Sequence, residues 1–268
     1  MPELPEVETV RRQLLPLLRG QRIRKMALTA PGLLKNCEPA FFESALQGQT
    51  IVNLHRRGKY LIWECRDLFP VFHLGMSGIF LKDRARSLYP QHIHMSLELE
   101  NGGEVFYQDF RRFGKIWLYR EWPQIANLGI DPIEETPDLA DFAGLLARKK
   151  QNVKLFLMDQ SQIAGIGNIY ASEILFEAAI SPERNTASLD PAETARLYRY
   201  MLEVLNAAIE RFGTTYSAYQ TVSGESGENQ NFLKVYQRNG QPCVRCGAII
   251  EKSTLGNRST FFCPDCQL

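Results

Sequence analysis

The sequence predicts an α+β chain of two domains that closes in a small cysteine-bearing module. Three observations carry this. Between about residues 22 and 120 the chain breaks into short runs rich in aromatic and β-branched residues, the mark of strands. Beyond about residue 138 the apolar residues recur at helical spacing. Four of the six cysteines fall in the last 26 residues. A length of 268 residues agrees with two domains at roughly 150 residues each.

The first 20 residues read as a helix. Pro5 suits the first turn, Glu6 and Glu8 suit the positive end of the dipole, and Gly20 can cap the far end. Val7, Val10, Leu14 and Leu18 recur on one face, and Pro16 is expected to end or kink the last turn. Strands follow at Tyr60 to Cys65, Phe69 to Leu74, Ile79 to Lys82, Ile93 to Glu100, Glu104 to Tyr107 and Lys115 to Tyr119. Asn101-Gly102-Gly103 is a hairpin signal, and so many short strands imply an antiparallel sandwich or barrel. The acidic, proline-bearing stretch from Asp131 to Asp141 is the candidate linker. It sets boundaries at 1–130, a linker at 131–140, a helical domain at 141–232 and the cysteine module at 233–268. Helices are expected at about 138–149, 152–160, 168–179 and 191–212. Residues 213–231 have few apolar anchors and read as a long loop.

Apolar residues make up 44% and charged residues 23%, ordinary values for a chain with a real core. Lys plus Arg is 31 and Asp plus Glu is 30, a net +1 that leaves room for local patches. No apolar run is long enough to span a membrane, and the acidic start lacks the basic and apolar regions of a secretory signal. A cytoplasmic protein with reduced thiols at Cys37 and Cys65 is expected.

Cys243-x-x-Cys246 and Cys263-x-x-Cys266 are separated by 16 residues. That spacing fits a tetrahedral Cys₄ zinc site. Two disulfides are the alternative, which a leaderless chain argues against. With all four positions filled the zinc is structural. Lys252, Asn257 and Arg258, between the pairs, suit contact with a phosphate. Further positive clusters lie at Arg56-Arg57-Gly58-Lys59, at Arg111-Arg112 with Lys115, and at Arg148-Lys149-Lys150 with Lys154. Each alone reads as a solvated face; several beside a zinc module favour a polyanion. In Gly165-Ile166-Gly167-Asn168 a tight turn precedes a helix that Asn168 is expected to cap, which makes a phosphate seat.

Six segments in order carry a resemblance that spans the chain: Met1-Pro2-Glu3-Leu4-Pro5-Glu6-Val7-Glu8-Thr9, Arg56 to Tyr60, His73-Leu74-Gly75-Met76-Ser77-Gly78, Asp109 to Gly114, Gly165 to Glu173 and the cysteine module. The chain resembles the bacterial formamidopyrimidine-DNA glycosylases, within the wider family that includes endonuclease VIII; Leu4-Pro5 looks like the former branch. The resemblance implies an N-terminal helix on an antiparallel β-sandwich, and a helical domain with a helix–two-turn–helix and a Cys₄ zinc ribbon. It implies action in the cytoplasm, at the nucleoid, on bent double-stranded DNA holding oxidised bases or abasic sites, with one zinc ion; a monomer is expected because no extra interaction segment is visible.

It also implies residue roles. Met1 is removed and the Pro2 amine becomes the nucleophile, with a terminal amine's pKa near 8 leaving part of it neutral. Glu3 is the general acid/base, Glu6 orients the amine, and Lys59 reaches the damaged base or its phosphate. His92, Lys154, Asn168, Tyr236 and Arg258 match phosphate-contacting positions, with His94 competing with His92. Met76, Arg112 and Phe113 match the trio that fills the void left by the everted nucleotide. Two departures stand out. Phe110 replaces a proline common in the family, and the loop from about Thr215 to Asn231 lacks the usual aromatic of the segment that caps an everted 8-oxoguanine. An oxidised-pyrimidine preference is therefore the main rival to an oxidised-purine one, and a lesion-binding paralogue that does not cut is the other.

Overall fold

A computed structural model describes residues 2–125, 127–216 and 219–268. Two units separate in it, Met1–Ile125 with Arg211–Gln230, and Ala126–Glu210 with Asn231–Leu268.

The first unit opens on helix α1 (Leu4–Leu18), which starts where the sequence places it, with Pro5 in the first turn. Val7, Val10, Leu14 and Leu18 are fully buried along one face. Pro16 does not end the helix, which runs on to Leu18. A proline there leaves the Arg12 carbonyl without its helical donor, but packing of Leu14 and Leu18 outweighs that loss. Strand β1 (Ile23–Leu28) follows, then helix α2 (Pro39–Leu46). That short helix interrupts a region read as strands; Phe42 and Leu46, four residues apart, are its buried pair.

The remaining strands are β2 (Ile51–Arg57), β3 (Tyr60–Cys65), β4 (Phe69–His73), β5 (Gly78–Leu81), β6 (Ile93–Leu99), β7 (Glu104–Asp109) and β8 (Lys115–Tyr119). They form two four-stranded antiparallel sheets, ordered β1-β6-β7-β5 and β2-β3-β4-β8. The Asn101-Gly102-Gly103 hairpin joins β6 to β7 as expected, with Gly102 at φ 85. One core unites Leu54, Leu61, Trp63 and Phe72 of one sheet with Met95, Leu97 and Tyr107 of the other, under α1. This is the sandwich rather than the barrel.

The sequence reading put residues 213–231 in the helical domain as a poorly anchored loop, whereas Arg211–Gln230 groups with the N-terminal unit. Tyr219 and Val222 join the sandwich core. Thr214 N donates to Glu6 at 2.8 Å and Val222 N to Gln13 at 2.8 Å, both on α1. Two apolar anchors and two backbone bonds to a helix some 200 residues earlier suffice, and no local pattern announces them. Ser217 and Ala218, within this segment, lie outside the described residues.

The second unit holds α3 (Leu139–Arg148), α4 (Val153–Met158), α5 (Asn168–Glu177) and α6 (Pro191–Glu210), with the hairpin β9 (Glu251–Leu255) and β10 (Arg258–Phe262). Phe142, Phe156, Tyr170, Ile174, Leu197 and Leu205 make its core. The helices fall within two residues of their expected ends.

On α1 an ion cluster forms around the buried Glu8, and its link to Arg56 is one that local reading could not assemble. Glu8 accepts from Arg11 Nη2 at 2.7 Å, Arg12 Nε at 2.7 Å and Arg56 Nε at 3.1 Å. Arg56 has no exposed side-chain surface, so it is lost from the basic cluster counted at 56–59. Burial pushes the Glu8 carboxyl up, but the guanidinium groups of Arg11, Arg56 and Arg12 outweigh it and hold the pKa at about 2, against 4.5 unperturbed. A depressed carboxylate contributes stability that is complete above the unfolded pKa and lost as pH falls through the folded one. The window here runs from pH 4.5 down to about 2, with about 3 kcal/mol at stake. Glu8→Gln is expected to cost about 3–5 kcal/mol at neutral pH, because it removes the carboxylate charge to which the buried Arg56 is bonded. It should also flatten that acid limb. Urea unfolding across pH measures both; an unchanged midpoint at pH 7 would mean that the cluster contributes nothing net.

Candidate functional site

The N-terminal segment folds so that its carboxylates serve the backbone. Pro2 is buried, and Glu3 and Glu6 are 2% and 1% exposed. Glu3 is the N-cap of α1, and its N–H donates to Glu6 Oε2 at 2.7 Å, one half of a reciprocal capping box with the Glu3 side chain. The other Glu6 oxygen accepts Thr214 N. Gly213 beside it has φ 79, and a Cβ there would stand 2.9 Å from Glu6 Cγ and Oε1, so glycine alone fits. Glu6, expected at the terminal amine, thus also ties the helix start to the 211–230 segment. Met1 lies outside the described residues.

Lys59 occupies the two-residue turn between β2 and β3. Gly58, with φ 57, takes the first turn position, as a type II′ hairpin demands. Lys59 is 7% exposed and lies near His73, whose pKa falls to about 4 through burial and the charges of Lys59 and Lys115. The neutral His73 ring accepts Gly75 N at Nδ1, 3.1 Å away.

Met76 and Phe113 project from two loops of the same unit at 40% and 49% exposure, unusual for large apolar side chains in a packed protein. Of the adjacent arginines, Arg111 stacks its guanidinium on Phe113, 4.6 Å from the ring centroid. Arg112 adopts φ 54, and its charge, after burial, helps to hold His94 below the usual histidine range. Side-chain direction in a strained turn cannot be read from the order Arg-Arg-Phe. Between the competing histidines, His94 is buried and bonded through Nε2 to Asp109 O at 3.1 Å. His92 is the partly exposed one.

In the second unit Asn168, Tyr236, Lys252, Asn257 and Arg258 line one open, polar cavity of about 460 Å³. All five were expected to suit a phosphate, Lys252, Asn257 and Arg258 as the ribbon tip, and the structure brings them together. Asn168 is the first helical residue rather than the cap, which is Gly167. Its Nδ2 donates to Ser259 O at 2.9 Å, and its buried Oδ1 has no protein partner. Lys154 departs from expectation. It is fully buried, and its Nζ donates to Ser259 O at 3.1 Å and Thr260 Oγ1 at 2.7 Å. Its charge holds β10 from beneath instead of facing a phosphate.

Sequence reasoning passed over Glu173. This carboxylate accepts the N–H groups of Lys234, Val235 and Tyr236 at 2.8, 3.0 and 2.8 Å, which fixes the segment that presents Tyr236. Burial pushes its pKa up, and the three N–H donors offset that only in part.

The four cysteine sulfurs lie within 4.8 Å of one another. Cys243 and Cys266 are 3.9 Å apart and Cys246 and Cys263 3.5 Å. Disulfide sulfurs stand about 2 Å apart, whereas four thiolates around zinc at about 2.3 Å are separated by about 3.8 Å. The donor set fits one structural zinc ion and leaves no ligand position open.

Comparison with known proteins agrees along the whole chain. Residues 1–116 match the model of the formamidopyrimidine-DNA glycosylase N-terminal domain, 128–220 that of its H2TH domain, and 240–268 a zinc finger found in FPG and IleRS. The formamidopyrimidine-DNA glycosylase of Symbiobacterium thermophilum is 42% identical over 274 residues, covering all of this chain and 89% of the relative. That of Desulfitobacterium hafniense is 40% identical, with both chains fully covered. The crystal structure of the MutM (Fpg) protein from Thermus thermophilus superposes with a TM-score of 0.87 at 38% identity, covering 99% of this chain and 98% of the other. The Lactococcus lactis Fpg in complex with abasic-site DNA gives 0.90 at 35%, covering 99% of each.

Proposed function

The chain belongs to the formamidopyrimidine-DNA glycosylase family, and from that premise we propose that Pro2, freed of Met1, is its nucleophile. The protein is a DNA glycosylase of base excision repair with abasic-site lyase activity. Formamidopyrimidines and 8-oxoguanine are the proposed substrates; a Lactococcus lactis relative has been seen with Fapy-dG DNA.

The Pro2 nitrogen attacks C1′ of the damaged nucleotide, the N-glycosidic bond breaks, and the base leaves with a proton. Glu3 protonates the ring oxygen as the sugar opens and then shuttles protons. A secondary amine forms a cationic iminium, an electron sink through which the 3′ and then the 5′ phosphate depart by β- and δ-elimination. Glu6 holds the helix start in register, and Lys59 attends the base or its phosphate. Met76, Arg112 and Phe113 fill the void, with Arg111 stacked on the phenylalanine ring. His92, Asn168, Tyr236 and Arg258 hold phosphates, joined by Lys252. Lys154 is withdrawn from that set and supports β10.

The observation that carries this reading is a buried Pro2 at the mouth of a carboxylate capping box, with Glu3 and Glu6 both withdrawn from solvent. Among the described residues no helix is long and apolar enough to cross a membrane. We place the enzyme in the bacterial cytoplasm, working as a single chain on chromosomal DNA.

Incubation with an 8-oxoguanine duplex and sodium borohydride is expected to yield a reduced adduct that peptide mass spectrometry maps to Pro2. An adduct on another residue would refute the nucleophile. An adduct from an abasic duplex only would keep the lyase and overturn the proposed base.

A further inference from the structure

The two loops that carry Met76 and Phe113 are built as one piece. Strands β5 and β7 pair with Gly78 opposite Asp109, so the loops leave the sheet side by side. Asp109, with no exposed surface, then joins them. Its Oδ1 accepts the Ser77 hydroxyl of one loop, and the Arg111 N–H of the other at 3.3 Å. Its Oδ2 accepts the Gly114 N–H at 2.7 Å. Ser77 Oγ in turn accepts Arg111 N–H at 3.2 Å. The backbones touch as well: a Cβ on Gly75, at φ 62, would stand 2.5 Å from the Phe113 carbonyl carbon and oxygen. From below, the Tyr107 hydroxyl fills the space where a side chain at Gly78 or Gly114 would go. Phe110 leaves φ of the second loop unrestrained, as proline would not; its ring instead packs against Tyr89, centroids 5.1 Å apart.

We propose that Ser77 and Asp109 are positioning residues that make the Met76 and Phe113 loops enter the duplex as a single rigid wedge. The proposal rests on the reading of those two side chains as void fillers. Loops ordered only on binding lose conformational entropy at that moment, and pre-joined loops do not. Side chains that must occupy a gap one base wide also need their spacing held, since misplacement by about 1 Å can cost roughly a hundredfold in rate.

The test uses the full chain and an abasic-site duplex, compared with the same duplex lacking the nucleotide opposite the site. The second has no orphaned base to hold. Single-turnover strand cleavage is followed for Ser77→Ala, Phe113→Ala and the double variant. Ser77→Ala is expected to slow cleavage of the intact duplex roughly tenfold or more while staying within about twofold on the gapped one. In the Phe113→Ala background it should add nothing. Gly75→Ala, which presses the loops apart instead of unfastening them, should show the same selectivity and serves if Ser77→Ala fails to fold. Equal slowing on both duplexes would mark a merely structural contact and overturn the wedge, as would full activity of Ser77→Ala or additive losses in the double variant. If Phe113→Ala itself cleaves the intact duplex normally, the void-filling reading falls instead.

Discussion

Glu3→Gln is expected to lower the rate of base excision by about 10²–10⁴-fold, the usual contribution of a positioned acid/base. The exchange is well suited to isolate chemistry. Glutamine keeps a carbonyl oxygen for the Glu6 N–H of the capping box and keeps the side-chain volume at a site only 2% exposed. It cannot give up a proton to the ring oxygen. Affinity for an abasic-analogue duplex should therefore stay within a few-fold of the parent while single-turnover excision collapses. Loss of affinity in step with loss of rate would show that the residue is structural, and an unchanged rate would remove it from the mechanism.

Cys246→Ser is the second large effect. A structural zinc contributes on the order of 10–16 kcal/mol in small modules, and to replace it the module has, among the described residues, a small buried cluster of Val235, Cys243, Ile250, Phe261 and Cys263 packed with Phe176 of α5. Loss of one thiolate should release the ion, free the β9–β10 hairpin, and withdraw Lys252, Asn257 and Arg258 from the cavity that also holds Asn168 and Tyr236. DNA affinity should fall for damaged and undamaged duplexes alike. The slope of log K against log salt should shrink by about one for each phosphate that the ribbon no longer engages. Pro2 belongs to the other unit, so borohydride trapping on abasic DNA should survive at high protein concentration. A metal-free variant with full affinity would refute the ribbon's part in binding.

Both predictions rest on residues legible in the string. The roles proposed for Pro2 and Glu3 come from the family resemblance of the segment that holds them. The two cysteine pairs, by contrast, are evenly spaced, and their metal chemistry follows from residue type and spacing. Strand runs and helical periods were legible for the same reason, because alternation and a period of about 3.6 are local. Where the reading missed, a distant partner decided. Lys154 looks like a surface cation until Ser259 and Thr260 close over it. Arg56 looks like part of a basic patch until Glu8 claims it. Glu173 gives no sign that it will cap three backbone N–H groups more than 60 residues away.

By itself, then, the sequence determined the class of fold, the cysteine set for one zinc ion and the branch of the family. The tertiary structure alone decided which charges face solvent and which are spent inside, how residues 211–230 join the N-terminal unit, and how two loops become one wedge. The physical reason is range. Propensity and spacing act over a few residues and survive as pattern, whereas burial and ion pairing depend on partners that the chain brings together only when it folds.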